Sequence, residues 1–411
     1  MKSRRRTAAT VVALLPLLAA AVGCQASGGE EPAAKAPSPT GKPVFAERLA
    51  DQLSAATRAT AATGSARFTS TLSYGSAAGT AVETTAGVLD YAADTARVER
   101  SYTVPRGFPA ESAVQLGLES GARARQAFAV DGNDVSYRTA AGTWLRYEAS
   151  ASQGFTDEAR PVLSYAGEAA PWGGTLAEVV REVDPERAPA TGADGRRTYR
   201  LDVHSRAADV ILPADLGFAL VKGTADDVPM TVVLDADGRL LSAEADYGPL
   251  LRELRAKGYL PGVTSLRAAY TLTGYGEQTV PGIPAGERVE DAERATAALG
   301  GLKPGACGST DTGLGTVDRV RPVPCGKGAD VRVFGRHKVE ETVRGEDPVG
   351  RGRALAAERC GEDFDTVPAA WTEGARPAGT YMVAGEETSS YAYTGPDASV
   401  SGDFTCYVTL R

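Results

Sequence analysis

Short runs in which every second residue is apolar, joined by tight turns, recur between about residues 64 and 275 and restrict the fold more than any other feature. Ala66, Phe68, Ser70, Leu72 and Tyr74 alternate with polar neighbours, as do Val82, Thr84, Ala86 and Val88. Period two is the mark of a half-buried strand. Phe128 to Val130 and Val135 to Tyr147 are joined through Asp131-Gly132-Asn133, and Met230 to Leu234 and Leu240 to Tyr247 through Asp235 to Gly238. Tyr199, Leu201 and Val203 alternate, and so do Leu266, Ala268, Tyr270 and Leu272. Turns this short require antiparallel pairing, because a parallel pair needs a long crossover. Phe45, Leu49 and Leu53 share one face of an opening helix. A capping box, Thr175 to Glu178, precedes Val179, Val180 and Val183, and Pro249 opens a helix with Leu250, Leu251 and Leu254 on one side and Gly258 at its end. A sheet with one apolar face and a few short amphipathic helices to cover it is an α+β layer. Ala66, Ser70, Ala86, Ala243, Ala245 and Ala268 are small inward positions, so the volume beside them must be filled by core side chains or by a ligand.

The 411 residues carry 44 Lys plus Arg against 52 Asp plus Glu, with 43% apolar residues. That is globular composition, long enough for two or three domains. A net charge of −8 gives no bulk attraction to nucleic acid, so no nucleic-acid partner is expected. The excess of Arg over Lys, with heavy use of Ala, Gly and Val, reads as the coding bias of a GC-rich genome such as an actinomycete's. Residues 1–23 combine a basic start, Lys2 to Arg6, with an apolar run from Ala8 to Val22 that is too short to span a bilayer. Ala21-Val22-Gly23 then precedes Cys24, an arrangement that resembles a bacterial lipoprotein signal peptide and its lipobox, although Ala21 stands where Leu is usual. The resemblance implies cleavage before Cys24 and a diacylglyceryl, palmitate-type anchor on that cysteine. The chain would then sit on the extracytoplasmic face of the cell membrane. A cleaved signal without lipidation is the alternative, and Ser3-Arg4-Arg5 leaves general or twin-arginine export open. Residues 24–43, rich in Pro, Gly and Ser, read as a flexible tether.

Four of the five cysteines, Cys307, Cys325, Cys360 and Cys406, fall in the segment 302–411. In an exported chain they read as two disulfides of a second, small α+β domain, and the absence of any CxxC pair argues against a metal site. Four cysteines allow three pairings. Cys406 alternates with Phe404, Val408 and Leu410, and Cys360 ends a helix that Asp347 caps and Pro348 starts, with Leu355 and Ala356 on its inner side. A helix lying on the last strand favours Cys360 with Cys406 and Cys307 with Cys325.

Two resemblances go further. The lipobox, the opening helix, the strand at 64–69, the stretch from Val130 to Arg146 and the stretch from Val233 to Leu240 resemble the LppX/LprG-type lipoproteins of actinobacteria. The fold of that family is similar to the LolA/LolB lipoprotein carriers. It implies, for residues 44–290, a strongly curved antiparallel half-barrel closed by helices over an apolar cavity for acyl chains. Gly305 to Cys307, Val323 to Gly335, and the regions of Cys360 and Cys406 resemble the septum-formation domain of actinobacterial envelope proteins, with Ala329 where that family usually has His.

Catalytic signals are sparse. The two histidines read as exposed, His204 on the outward side of a strand and His337 in a basic loop. No nucleophile elbow, zinc-protease motif, P-loop or dinucleotide fingerprint occurs. Asp235 to Gly238 has its Gly too early for a calcium loop. No cofactor or metal is expected. Trp144, Tyr137, Tyr147, Tyr270 and Tyr275 lie on expected strands, either as core aromatics or as cavity walls. The residues chosen as cavity lining are Phe68, Leu72, Tyr137, Trp144, Leu234, Leu266, Tyr270 and Leu272. The reading is a non-catalytic, membrane-anchored lipoprotein that binds or carries a lipid or other apolar ligand. The alternative is an envelope scaffold with a solid interior that docks a cell-wall or division protein; a hydrolase with an unrecognised site is a third reading.

Overall fold

Twelve strands form one sheet in the computed structural model, which describes residues 43–118, 125–167, 171–220, 226–326, 328–344, 350–391 and 397–410. The expected signal peptide, Cys24 and nearly all of the tether lie outside the described residues, as do Asp347 and Pro348. The strands are β1 (Ser65–Ser76), β2 (Gly79–Asp90), β3 (Thr95–Thr103), β4 (Arg125–Asp131), β5 (Asp134–Arg138), β6 (Trp144–Tyr147), β7 (Ala190–Thr191), β8 (Arg197–Val203), β9 (Val228–Leu234), β10 (Leu240–Asp246), β11 (Val263–Thr273) and β12 (Val289–Asp291). Their order is β12-β6-β5-β4-β3-β2-β1-β11-β10-β9-β8-β7. Every neighbouring pair is antiparallel except β6 with β12. The chain runs outward from β1 through successive antiparallel neighbours to β6, and its second half completes the sheet from the other side by pairing β11 with β1.

Pairing fixes which face of each strand is covered. Phe68 lies opposite Leu272, Leu72 opposite Ala268 and Tyr74 opposite Leu266, and the helices Gln52–Ala61, Gln153–Leu163, Leu176–Glu182 and Gly248–Ala256 pack their apolar sides into the same core. Three expectations need correction. In β2 the covered set is Ala81, Glu83, Thr85, Gly87 and Leu89, because Tyr74 pairs with Ala81 and Ala66 with Leu89. Val82, Thr84, Ala86 and Val88 therefore face outward; a strand with apolar residues on both faces has no phase that alternation alone can assign. The expected strand from Val135 to Tyr147 is two strands, β5 and β6, folded back at Thr139 to Thr143. The opening segment begins as two 3-10 turns before its helix starts at Gln52.

The second sheet contains β13 (Ala297–Ala298), β14 (Cys307–Ser309), β15 (Arg319–Val323), β16 (Val331–Arg344), β17 (Met382–Ala384), β18 (Glu387–Tyr391) and β19 (Asp397–Thr409), in the order β13-β15-β14-β16-β19-β17, with β18 also on β19. Its centre is the long antiparallel pair of β16 and β19, which runs from Val331 opposite Thr409 to Arg344 opposite Asp397. The helix Arg351–Thr366 lies on these strands. Cys360 stands in the middle of that helix, not at its end, and is bonded to Cys406, while Cys307 is bonded to Cys325. No helix among the described residues is long and apolar enough to cross a membrane. The whole is an α+β structure: a large antiparallel sheet with covering helices, then a smaller sheet with two disulfides.

Candidate binding site

Seven of the eight residues chosen as cavity lining do share the covered face. Phe68, Leu72, Leu266, Tyr270 and Leu272 cluster on β1 and β11, with Tyr137 on one wing of the sheet and Leu234 on the other. Phe68 stacks on Tyr270 with ring centroids 5.9 Å apart. These side chains are at most 7% exposed and belong to one continuous core with the covering helices.

Trp144 is on the opposite face. Leu145 and Tyr147 point inward, and the alternation of β6 turns Trp144 outward beside Arg138. There it is fully buried beneath the Arg97 guanidinium, 4.2 Å from the ring centroid, and its indole N–H donates to Glu287. Tyr275 lies beyond the end of β11 and donates its hydroxyl to the Leu240 carbonyl.

The loop between β14 and β15 closes one part of the covered face. Tyr137 Oη donates to Asp311 Oδ1 at 2.6 Å, and Tyr147 Oη donates to the Thr312 carbonyl. Gly313 takes φ 87° directly against the Tyr137 ring, where an added Cβ would stand 2.6 Å from Cγ. Leu314 is buried in the large core itself. Arg319 binds Glu158 and Thr296, and its guanidinium sits 4.6 Å from the Phe155 ring centroid. The second sheet thus supplies a plug to the first.

One polar cluster interrupts the apolar face. Arg100 donates Nε–H to Glu83 and Nη1–H to Tyr165 Oη at 2.9 Å, and the Tyr102 ring lies 5.4 Å from its guanidinium carbon. The Glu83 and Arg100 side chains are 15% and 23% exposed, which places them at a rim. The Tyr74 hydroxyl beside them is buried with no hydrogen-bond partner among the described residues, and burial raises its pKa well above the usual phenol value. Burial raises the Tyr102 phenol as well. An unpaired buried hydroxyl costs about 1–3 kcal/mol, and a buried ion pair is often no better than apolar residues of the same size. This cluster is therefore a cost to the fold. Reading β2 in the wrong phase hid Glu83. The signal that could have found it is the short turn at Ser76 to Gly79, which sets Tyr74 opposite Ala81.

The outer face of the same sheet carries an open groove of about 830 Å³, with Thr71, Ser73, Arg200, Glu244, Ser265 and Arg267 on its walls. Of the two histidines, His204 is exposed and caps the short helix Ser205–Ala208 by accepting from the Arg206 amide. His337 is not in a loop. It lies within β16 beneath the helix Arg351–Thr366, with Nε2 2.9 Å from Asp363 Oδ2.

No family model and no curated protein sequence matches the chain. Solved structures with some similarity include the MucA/MucB complex of Pseudomonas aeruginosa, with 10% identity, coverage of 86% of this chain and 93% of that one, and a TM-score of 0.23. A domain described as an outer membrane lipoprotein-sorting protein from Vibrio parahaemolyticus has 10% identity, 54% and 89% coverage and a TM-score of 0.20. A DUF1329 family protein from Desulfovibrio piger has 10% identity, 57% and 92% coverage and a TM-score of 0.20. Overlaps of this size do not establish a shared fold.

Proposed function

We propose that the chain is a non-catalytic protein of the cell envelope, lipid-anchored through Cys24 on the extracytoplasmic face of the membrane, that acts as an interaction module with a solid interior. The observation that carries this reading is the filled and plugged face of the large sheet. The residues that would have lined a cavity form a continuous core, and the Asp311–Leu314 loop occupies the approach to Tyr137 and Tyr147. Contact with a partner then falls to the outer surfaces, where the polar groove beside Arg200, Glu244 and Arg267 offers charge of both signs. The septum-formation resemblance of residues 302–411 suits a partner in wall or division processes.

A second reading, the lipid carrier of the LppX/LprG and LolA/LolB type, draws support from the Glu83–Arg100 pair and the unpartnered Tyr74 hydroxyl. Polar groups at the rim of an apolar face are where the head of an amphiphile would be received. That reading requires the plug or the helices to move aside, since a long acyl chain would need space that the core now fills.

Native mass spectrometry of the soluble chain from about residue 40 onward, which lacks the anchor, purified without detergent from its own organism and paired with solvent extraction, separates the two. The solid module flies at its bare mass and yields no extractable ligand. A stoichiometric apolar adduct of defined mass would overturn it in favour of the carrier.

A further inference from the structure

Three elements of the smaller sheet bring three groups with metal-ligand chemistry to one place, with a carboxylate beside them. β19 carries Cys406, β16 carries His337, and the helix Arg351–Thr366 carries Cys360 and Asp363 one turn apart. The two sulfurs and a ring nitrogen of His337 lie within 4.8 Å of one another, and Asp363 Oδ2 is 2.9 Å from His337 Nε2. Among the described residues no other cluster of three such groups occurs. In the oxidised protein the sulfurs are bonded to each other. We propose that reduction of this disulfide turns the cluster into a zinc site with two thiolates and the His337 imidazole as ligands, Asp363 holding the ring.

The donor set and the scaffold both suit zinc. Structural zinc is tetrahedral, with Zn–S near 2.3 Å and Zn–N and Zn–O near 2.0–2.2 Å, which asks ligand atoms to stand roughly 3.3–3.8 Å apart. Once the bond is open the sulfurs must separate by about 1.7 Å from disulfide contact, a movement that side-chain rotation supplies. A ring nitrogen within 4.8 Å of both sulfurs reaches that separation by a small side-chain rotation. The backbone leaves room for the carboxylate at one point only by lacking a side chain. The strand register shifts between Val333 and Gly335, and a Cβ on Gly335 would strike Asp363 Oδ2 and stand 3.2 Å from Cys406 Sγ. Both sulfurs are fully buried against Phe334, Phe364 and Tyr381, whereas the His337 and Asp363 side chains are 20% and 35% exposed, so an ion reaches the sulfurs through the polar pair. The disulfide Cys307–Cys325 differs, because Cys325 is exposed and its sulfur meets the Gly305 carbonyl and no histidine.

The chemistry balances with a dithiol as reductant. Two electrons and two protons pass from the dithiol, which closes to its own disulfide, and Cys360 and Cys406 become thiols. Zinc then displaces both thiol protons. The site therefore binds in a reducing setting and releases its ion when the cysteines are oxidised.

The test uses the full-length chain with Cys307→Ser and Cys325→Ser, reduced without oxygen and titrated with cobalt(II), which reports thiolate ligation by charge-transfer absorption and tetrahedral geometry by intense ligand-field bands. One cobalt per chain with both signatures is expected after reduction, neither before it, and loss of both when zinc is added. His337→Ala and Asp363→Asn should each weaken zinc binding, measured against a competing chelator, at least about tenfold, with the fold checked by circular dichroism. The proposal fails if the reduced protein gives no thiolate signature, or if Cys360→Ser with Cys406→Ser leaves it unchanged. It also fails if both His337→Ala and Asp363→Asn bind zinc as tightly as the parent, the result expected of unfolded thiols.

Discussion

Replacing Gly313 by alanine tests how tightly the β14–β15 loop of the smaller sheet plugs the larger one. Two costs add at this position. A left-handed backbone conformation costs an L-residue roughly 1–2 kcal/mol, and φ at Gly313 is 87°. The new methyl would also stand 2.6 Å from Tyr137 Cγ, a ring that is 1% exposed and tied to Asp311, so it has little room to yield. Overpacking of this kind costs about 1–3 kcal/mol, which brings the expected loss to about 2–5 kcal/mol. Gly315 provides the control within the same loop, since its φ is 74° and nothing lies within 4 Å of an added Cβ. Gly315→Ala should show the backbone cost alone. The measurement is equilibrium urea unfolding followed by tryptophan fluorescence, with hydrogen exchange at the Ala140 amide, which donates to Asp311, as a local probe of the plug. Equal losses for the two variants within about 0.5 kcal/mol, the usual scatter of independent sites, together with unchanged protection at Ala140, would refute the tight plug.

Arg100→Met should cost about 3–5 kcal/mol in urea unfolding by leaving Glu83 without its partner, whereas Arg100→Met with Glu83→Leu should equal or exceed the parent; a double variant no better than the single one would contradict the cost assigned to this pair. Tyr74→Phe removes a hydroxyl with no partner among the described residues and should raise stability by about 1–3 kcal/mol, with a loss as the contrary result. For pH, burial raises the Glu178 carboxyl above its usual range, against the opposing pull of the Gly174 amide that donates to it. A folded pKa above the unfolded one means that its contribution is fully present below the unfolded value near 4.3 and is lost as pH rises through the folded value. Glu178→Gln should therefore be more stable than the parent at pH 7 and lose that advantage at pH 3 in paired melting curves. An advantage that grows on acidification would reverse the sign of the argument.

Much of the fold is written in local pattern. Alternation and short turns specify antiparallel strands, and a threonine three residues before a glutamate marks the helix at 176–182, where the Thr175 side chain accepts from Ala177. The place of Cys406 among Phe404 and Val408 and the helical setting of Cys360 are enough to favour the observed disulfides. These features depend on residues a few positions apart, which is why they can be read without coordinates. The phase of β2 is different. Val82, Thr84, Ala86 and Val88 make as good an inner face as Ala81 and Leu89 until β1 pairs with the strand and turns Glu83 toward Arg100. Trp144 is a second case, since its burial comes from Arg97 and Glu287, which are remote in sequence. The filling of the large sheet's covered face was likewise not a local property. Small inward residues leave volume, but only the packing of the helices and of a loop from the other sheet decides whether side chains occupy it. The same holds for His337, whose approach to Asp363 and the Cys360–Cys406 disulfide depends on a helix crossing two long strands. Sequence determined the elements and their local periods, because these follow from backbone geometry and neighbouring side chains. Tertiary structure alone decided which faces met, because burial is a property of the partner as much as of the residue.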